Sequence, residues 1–274
     1  MASFEYRGGV RLVVFDWAGT TVDHGCMAPI VPFVETLRAA GIELSLADAR
    51  GPMGMDKKDH LRALLELPRA VEQWRSRHDR PLGEDDVERL FREEFVPRQL
   101  ASVGDCCELI AGLSETVDWL RARQIRIGTT TGYFREAAEL AWAAGRRQGF
   151  EPDANFCASD VPAARPAPWM VYRNMEALGV YPPAAVVKVG DTVPDVGEGR
   201  SAGAWTVAVT TTGSEVGLPL ADWQRLAPDE RQRRTAAAAA KLSAAGAHWV
   251  IDSVADLPPL IPEIEQRNAA GQRP

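Results

Sequence analysis

Residues 12–15 are four consecutive apolar residues, Leu-Val-Val-Phe, and Asp16 follows them directly. A short, uninterrupted apolar run of this kind is typical of a strand that is buried on both faces of a parallel sheet. The next residues include Ala18-Gly19-Thr20-Thr21, which are small and turn-prone. Because α/β folds bind their ligands at the carboxyl ends of such strands, the segment favours an α/β fold with a polar site that begins at Asp16.

Strand and helix patterns alternate through much of the remaining chain. β-branched runs predict strands at residues 11–15, 125–130, 185–189 and 205–209. Helical patterns are found at residues 114–123 with Ser114 as N-cap, 134–147, 169–178, 228–244 and 257–266, and residues 248–251 are a candidate edge strand. The alternation predicts a doubly wound parallel sheet, and the last seven residues are predicted to be frayed.

The strand pattern is interrupted by a helical insertion between residues 28 and 103. Helical patterns there cover residues 28–40, 47–50, 57–65, 69–77 and 84–100. We therefore predict an α/β core domain, formed by residues 1–27 and 104–274, and an α-helical cap domain, formed by residues 28–103. The insertion follows the loop after Asp16, so the cap is expected to hinge beside that residue.

Composition excludes several classes of protein. The net charge of −7 argues against nucleic-acid binding, which requires a basic face. No apolar run is long enough to cross a membrane, and the first residues lack the apolar core of a signal peptide. The four cysteines match no metal-site spacing. We therefore expect a cytoplasmic protein with reduced thiols, acting on a small molecule, with neither nucleic acid nor membrane as partner.

Polar residues follow the other predicted strands as well. Thr130, Thr131 and Gly132 precede a helix, where hydroxyl and backbone N–H groups suit a phosphate oxygen, and either threonine could be the main contact. Arg165 lies in a proline-rich loop, and its planar guanidinium can grip two oxygens. Asp191 and Asp195 follow the strand at 185–189 and offer the hard oxygen ligands that Mg²⁺ prefers.

Each of these residues also has an ordinary structural interpretation, such as a turn-starting Asp or a surface Arg. Their order along the chain, however, resembles the four motifs of the haloacid dehalogenase superfamily, which has a Rossmann-like core. The resemblance implies that Asp16 is a nucleophile toward phosphorus. It also implies that Asp16, Asp191 and the carbonyl of Ala18 bind Mg²⁺, with Asp195 acting through water or a neighbouring group, and that Arg165 neutralises the phosphoryl group.

The segment Pro52-Met53-Gly54-Met55-Asp56-Lys57-Lys58-Asp59-His60 resembles the substrate loop of the phosphonoacetaldehyde hydrolase family. That resemblance covers roughly residues 10–260, and it implies cleavage of the P–C bond of phosphonoacetaldehyde to acetaldehyde and phosphate by a homodimer. Lys57 would form an imine with the aldehyde and His60 would relay protons. The implied substrate contacts are Cys26, Met53, Gly54, Thr130, Thr131, Gly132 and Tyr133.

Several alternatives stay open at this point. Lys58 could take the place of Lys57, His60 could be a polar helix residue, and Cys26 could be an inert buried thiol. Met53 and Tyr133 could equally be ordinary packing residues. A phosphatase or phosphomutase acting on a P–O bond is an alternative enzyme, and a non-catalytic phosphate-binding module is an alternative of another class. Ala18 discriminates, because most phosphate-transferring members of the superfamily carry an acidic Asp there to protonate an alkoxide. An enamine leaving group needs no such proton.

Overall fold

A six-stranded parallel sheet forms the centre of the computed structural model, which describes residues 5–274, with Asp105 described by its backbone only. The order across the sheet is β3-β2-β1-β4-β5-β6. The strands are β1 Leu12–Asp16, β2 Arg126–Thr131, β3 Ala154–Cys157, β4 Val186–Gly190, β5 Trp205–Val209 and β6 Trp249–Ile251. The order reverses between β1 and β4, and such switch points are where doubly wound folds bind ligands.

The register aligns the carboxyl ends of the central strands. Asp16 pairs with Thr130 of β2, and Phe15 pairs with Val189 of β4. The residues that follow these strands are therefore brought to one edge of the sheet, although Asp16 lies more than 100 positions before the ends of both β2 and β4.

Helices cover both faces of the sheet, as the alternation of side chains along β1 requires. Val13 and Phe15 pack in one apolar cluster, and Leu12 and Val14 pack in another on the opposite face. The helices outside the insertion are α7 Leu113–Ala122, α8 Arg135–Arg147, α9 Trp169–Ala177, α10 Val193–Ala202, α11 Leu220–Arg225, α12 Pro228–Ala244 and α13 Leu257–Ala269.

The helical insertion between β1 and β2 has an apolar cluster of its own, which includes Phe33, Leu61, Trp74 and Phe95. Its helices are α1 Met27–Ala39, α2 Leu46–Arg50, α3 Lys57–Leu65, α4 Pro68–His78, α5 Glu84–Arg89 and α6 Val96–Asp105, with a π-helical segment, Leu90–Phe95, joining the last two. The two domain boundaries stay a prediction, and residues 1–4 of the predicted core domain lie outside the described residues.

The predicted doubly wound sheet is confirmed, and four predicted strands lie within one residue of their observed positions. Strand β3 was not predicted, because Ala154–Cys157 is only partly buried and lacks a β-branched run. The N-cap prediction was wrong, since Gly112 rather than Ser114 precedes α7. The prediction of a frayed tail was wrong at Asn268, because this residue is buried and accepts a hydrogen bond from Trp205 Nε1. No helix in residues 5–274 is long and apolar enough to cross a membrane.

Candidate active site

Asp16 ends β1 beneath a tightly folded loop. Gly19 in this loop has φ +88°, and a Cβ there would lie 2.4 Å from Cys26 Sγ and 2.6 Å from Asp191 Oδ2. Glycine is therefore required both by the backbone conformation and by the lack of space. The loop also turns the carbonyl of Ala18 toward Cys26, whose thiol donates to it at 3.1 Å. Asp16, the Ala18 carbonyl and Asp191 are thus gathered around one point.

Three buried carboxylates, those of Asp16, Asp191 and Asp195, have oxygen atoms within 4.8 Å of one another. Asp191 accepts hydrogen bonds from the backbone N–H of Ser214 at 2.7 Å and from the Thr20 hydroxyl at 3.2 Å. Burial, followed by repulsion from Asp16 and Asp195, raises its pKa well above the ordinary value. A divalent cation would relieve this repulsion, and an all-oxygen donor set suits Mg²⁺.

Asp195 lies in the same cluster but is held by other partners. Its Oδ1 lies 2.8 Å from Lys188 Nζ and 3.0 Å from Arg165 Nη1, and the Thr192 hydroxyl donates to Oδ2. Burial alone would raise the pKa of Asp195, but Arg165 and Lys188 outweigh it and lower that pKa. With two cations on one oxygen, Asp195 is less available to a metal than Asp191, and its indirect role stays a prediction.

Arg165 connects Asp16 with the surrounding polar residues. It is buried in the loop before α9, and its Nη2 lies 2.7 Å from Asp16 Oδ1 and 2.6 Å from Thr130 Oγ1. Its Nε donates to Glu198 Oε2 at 3.0 Å. Burial lowers the pKa of the guanidinium, but Asp16, Asp195 and Glu198 together raise it above its ordinary value, so Arg165 stays charged.

The two threonines that sequence left as alternatives face different ways. Thr130 Oγ1 donates to Glu198 at 3.1 Å and accepts from Arg165, so its hydroxyl is committed inside the protein. Thr131 lines the cavity beside Asp16, together with Gly132. Its hydroxyl accepts the backbone N–H of Tyr133 at 3.2 Å, which leaves the O–H group of Thr131 to point elsewhere. Thr131 is therefore the threonine that a ligand in the cavity would meet.

Lys57 enters the same cavity from the helical insertion. It is the first residue of α3, whose N-cap Asp56 accepts the backbone N–H groups of Lys58 and Asp59. The Lys57 side chain is buried, and burial lowers its pKa to about 8, although Asp16 opposes the shift. Lys58, by contrast, points away and forms an ion pair with Glu88. The geometry thus separates the two neighbouring lysines.

The insertion packs directly on the sheet domain around this small cavity. A Cβ on Gly54 would lie 2.2 Å from Thr192 Oγ1, and a Cβ on Gly132 would lie 2.6 Å from the carbonyl oxygen of Met55. These close approaches require glycine on both sides. The cavity is lined by Asp16, Ala18, Cys26, Pro29, Met53, Gly54, Lys57, Thr131, Gly132, Tyr133, Arg165 and Thr192.

His60 does not line the cavity. Its ring stacks on Phe33 with centroids 3.8 Å apart, and its Nε2 lies 2.8 Å from the carbonyl oxygen of Ala49, so that nitrogen carries the proton and donates. Burial, and then the charge of Lys57, lowers the pKa of His60 to about 3. The imidazole is therefore neutral and faces the apolar cluster of the insertion. A proton-relay role for His60 stays a prediction.

Three polar residues near the site were not singled out from the sequence. Lys188 and Glu198 are buried behind Arg165, and Lys188 is the one charged residue within strand β4. A single charged residue in a strand that is otherwise apolar indicates a buried ionic contact, and this signal is present in the sequence. Arg50 at the end of α2 donates to the carbonyls of Gly25 and Gly217, each at 2.9 Å, and so ties the insertion to the sheet domain.

The parallel sheet, the carboxylate of Asp16 at the end of β1 and the two carboxylates after β4 are the arrangement expected of a haloacid dehalogenase-like hydrolase. The model of that family matches residues 10–203. The chain is 45% identical over 269 residues to the phosphonoacetaldehyde hydrolase of Syntrophobacter fumaroxidans, covering 98% of this chain and 97% of the relative. It is 43% identical to that of Paraburkholderia phytofirmans, covering 97% and 99% respectively.

A solved structure agrees with these relatives. The crystal structure of a phosphonoacetaldehyde hydrolase-like protein from Oleispira antarctica matches with a TM-score of 0.97 and 40% identity, covering 100% of this chain and 99% of the other. The chain therefore belongs to the phosphonoacetaldehyde hydrolase family, within the haloacid dehalogenase-like hydrolases.

Proposed function

We propose that this protein hydrolyses the P–C bond of phosphonoacetaldehyde and releases acetaldehyde and phosphate. One observation carries the proposal. The amine of Lys57, from the helical insertion, and the carboxylate of Asp16, from the sheet, line the same small cavity. The relatives' names support the same reaction.

Imine formation is the first step. The neutral amine of Lys57 attacks the aldehyde carbon, and loss of water leaves an imine. Because burial lowers the pKa of Lys57 to about 8, a useful fraction of this amine is neutral near pH 7. Once protonated, the imine nitrogen withdraws electrons from the neighbouring carbon, which is the carbon bonded to phosphorus.

Cleavage of the P–C bond follows. Asp16 attacks phosphorus and forms an aspartyl phosphate, while the electron pair of the P–C bond moves to carbon and the protonated imine becomes an enamine. This leaving group departs without a proton, so Ala18 can stand where phosphatases of the superfamily need an acid. Protonation of the enamine at carbon and hydrolysis then free acetaldehyde and Lys57, and water releases phosphate from Asp16.

The remaining cavity residues bind and orient the substrate. Arg165 is charged and touches the nucleophile, so its guanidinium can meet a phosphonate oxygen, and Thr131 and Gly132 offer further donors beside it. Asp16, Asp191 and the Ala18 carbonyl would hold Mg²⁺. When bound, the cation offsets the repulsion between the anionic nucleophile and the anionic phosphonate.

We also propose a domain organisation, an oligomeric state and a cellular location for this enzyme. Residues 28–103 act as a cap domain on a core formed by residues 1–27 and 104–274, and the protein is a cytoplasmic homodimer. Cys26, Cys107 and Cys157 are free thiols, which suits a reducing compartment. Val31 on α1 is 38% exposed, which leaves an apolar side chain on the helix expected to pair with a second copy. Sedimentation equilibrium tests the dimer.

Product analysis tests the reaction. With Mg²⁺, phosphonoacetaldehyde should give acetaldehyde and inorganic phosphate in equal amounts. Borohydride added with substrate should label Lys57, as mapped by peptide mass spectrometry. Phosphate release from phosphate monoesters, with no acetaldehyde from the phosphonate, would instead favour the phosphatase alternative.

A further inference from the structure

Glu198 is a buried acidic residue on α10 that none of the sequence motifs assigns. Its Oε2 accepts a hydrogen bond from Arg165 Nε at 3.0 Å and one from Thr130 Oγ1 at 3.1 Å. Lys188 Nζ lies 3.5 Å from the same oxygen. All the polar contacts of this carboxylate within residues 5–274 are therefore made by one oxygen, and two of its three partners, Arg165 and Thr130, are linked through Arg165 Nη2, which contacts Asp16.

The contact at Nε determines where the rest of the guanidinium points. A guanidinium is planar and rigid, so fixing its Nε–H direction also fixes the positions of both terminal nitrogens. With Nε on Glu198, Nη2 lies 2.7 Å from Asp16 and Nη1 lies 3.0 Å from Asp195. Glu198 thus holds the plane of Arg165 in the orientation that brings both terminal nitrogens to carboxylates.

Lys188 is a second buried cation that contacts the same carboxylates as Arg165. It is fully buried and lies 2.8 Å from Asp195 Oδ1 as well as near Glu198, so it balances part of the negative charge of both carboxylates. Arg165 and Lys188 together carry two positive charges, which match the two negative charges of Asp195 and Glu198. Lys188 thus limits the negative charge that Asp195 and Glu198 would otherwise add beside Asp16.

The other oxygen of Glu198 points to the same conclusion. Oε1 is buried and has no hydrogen-bond partner in the described part of the chain. Burying an unsatisfied acceptor costs stability. The contacts that Oε2 makes to Arg165 and Thr130 therefore have to account for the presence of a buried glutamate at this position. We infer that Glu198 is a positioning residue, which orients the Arg165 guanidinium at the nucleophile both directly and through the Thr130 hydroxyl that contacts both residues. The inference rests on the proposed function, because it assigns Arg165 to the phosphonate.

Two substitutions separate position from charge. Glu198→Gln keeps the length and an acceptor oxygen but loses the charge, whereas Glu198→Asp keeps the charge but withdraws the oxygens by ~1.5 Å. If Glu198 positions Arg165, Glu198→Gln should stay within about tenfold of the wild-type kcat, and Glu198→Asp should lose about 100-fold. The reverse order, or full activity in Glu198→Asp, would overturn the inference.

A control distinguishes positioning from loss of stability. Asn268→Ala removes a buried polar side chain on α13, away from the cavity, and should lower the melting temperature with kcat unchanged. Should Glu198→Asp fail to fold, the wild type still provides a test. Its Arg165 Nε–H, identified by its loss in Arg165→Lys, should appear in ¹⁵N–¹H spectra as a resonance protected from solvent exchange. A rapidly exchanging Nε–H would contradict the contact with Glu198.

A double-variant cycle tests whether Glu198 acts through Arg165. With Mg²⁺ present, Glu198→Asp should weaken the binding of inorganic phosphate, but in an Arg165→Ala background it should cause no further loss. Additive losses would show a role independent of Arg165 and overturn the inference. This measurement needs no turnover, so it still judges Glu198 if the wild type fails to cleave phosphonoacetaldehyde, a result that would overturn the proposed function alone.

Discussion

The amine of Lys57 lies over the ring of Tyr133, with Nζ 5.1 Å from the ring centroid. The two residues come from different parts of the fold, since Lys57 begins α3 of the helical insertion and Tyr133 follows β2. An aromatic face favours the ammonium form, whereas burial favours the neutral amine. Burial has the larger effect, because the pKa of Lys57 is lowered to about 8.

This lowered pKa predicts how imine formation depends on pH. Below pH 8 most of the Lys57 amine is protonated and cannot attack, so the rate of imine formation should rise with pH and level off above about 8. Single-turnover borohydride trapping between pH 6 and 9.5 measures it. A rate that keeps rising toward pH 10 would mean that Lys57 titrates like an ordinary solvated lysine.

Lys57→Arg should keep the positive charge and abolish the reaction. Arginine stays protonated and cannot form an imine, so we expect kcat to fall at least about 10³-fold. Lys58→Arg is the matched control, because Lys58 points toward Glu88 and should tolerate the change with at most a few-fold effect. Substantial activity in Lys57→Arg, or borohydride label on Lys58, would contradict the assignment.

Asp16→Asn should separate the two halves of the reaction. The amide cannot attack phosphorus, so phosphate release should fall by at least about 10³-fold. Imine formation needs Lys57 rather than Asp16, and borohydride with substrate should still label Lys57 in the variant. Normal phosphate release from Asp16→Asn would exclude Asp16 as the nucleophile.

Removing Mg²⁺ with a chelator should abolish turnover, and added Mg²⁺ should restore it. Asp191→Ala should show the same loss without restoration at moderate Mg²⁺ concentrations, because one carboxylate of the crowded group is then missing. Isothermal titration with Mg²⁺ provides a readout apart from activity. Unchanged turnover in excess chelator would contradict the metal assignment.

Gly54→Ala should prevent the insertion from packing on the sheet domain. The added Cβ would lie 2.2 Å from Thr192 Oγ1 and would occupy a left-handed backbone conformation at φ +92°. We expect kcat/KM to fall by about 100-fold. Gly83→Ala is the control in the same insertion, since its Cβ would meet no atom closer than 3.7 Å. Equal kinetics for the two variants would show that this contact is unimportant.

Sequence predicted the parts of the site that follow strands. Asp16 comes directly after an apolar run and Asp191 comes directly after β4, and parallel strands bring their carboxyl ends to one edge, so the meeting of these residues follows from pattern alone. Position in a strand also explains why the sequence did not decide whether Thr130 or Thr131 contacts the phosphate. Their side chains alternate between two directions, and the pattern does not say which direction faces the ligand.

The remaining features depend on contacts between distant segments. Helical spacing placed His60 one turn from Lys57, but it could not show that the imidazole packs on Phe33. In the sequence, Glu198 cannot be distinguished from an ordinary helical glutamate. Its partners Thr130 and Arg165 lie 68 and 33 positions before it, so no local pattern links them. Such partners emerge only when the sheet is assembled.

The packing of the helical insertion on the sheet domain limits which aldehydes in a cell can react with Lys57. The lowered pKa of Lys57 depends on its burial between the insertion and the sheet domain. With the insertion lifted away, Lys57 would be solvated and protonated at neutral pH, like lysines in general. Its neutral, nucleophilic form is then present only where the insertion covers the sheet domain, in the cavity that also holds Asp16 and Arg165. The same fit that assembles the site would shield its reactive amine from glycation.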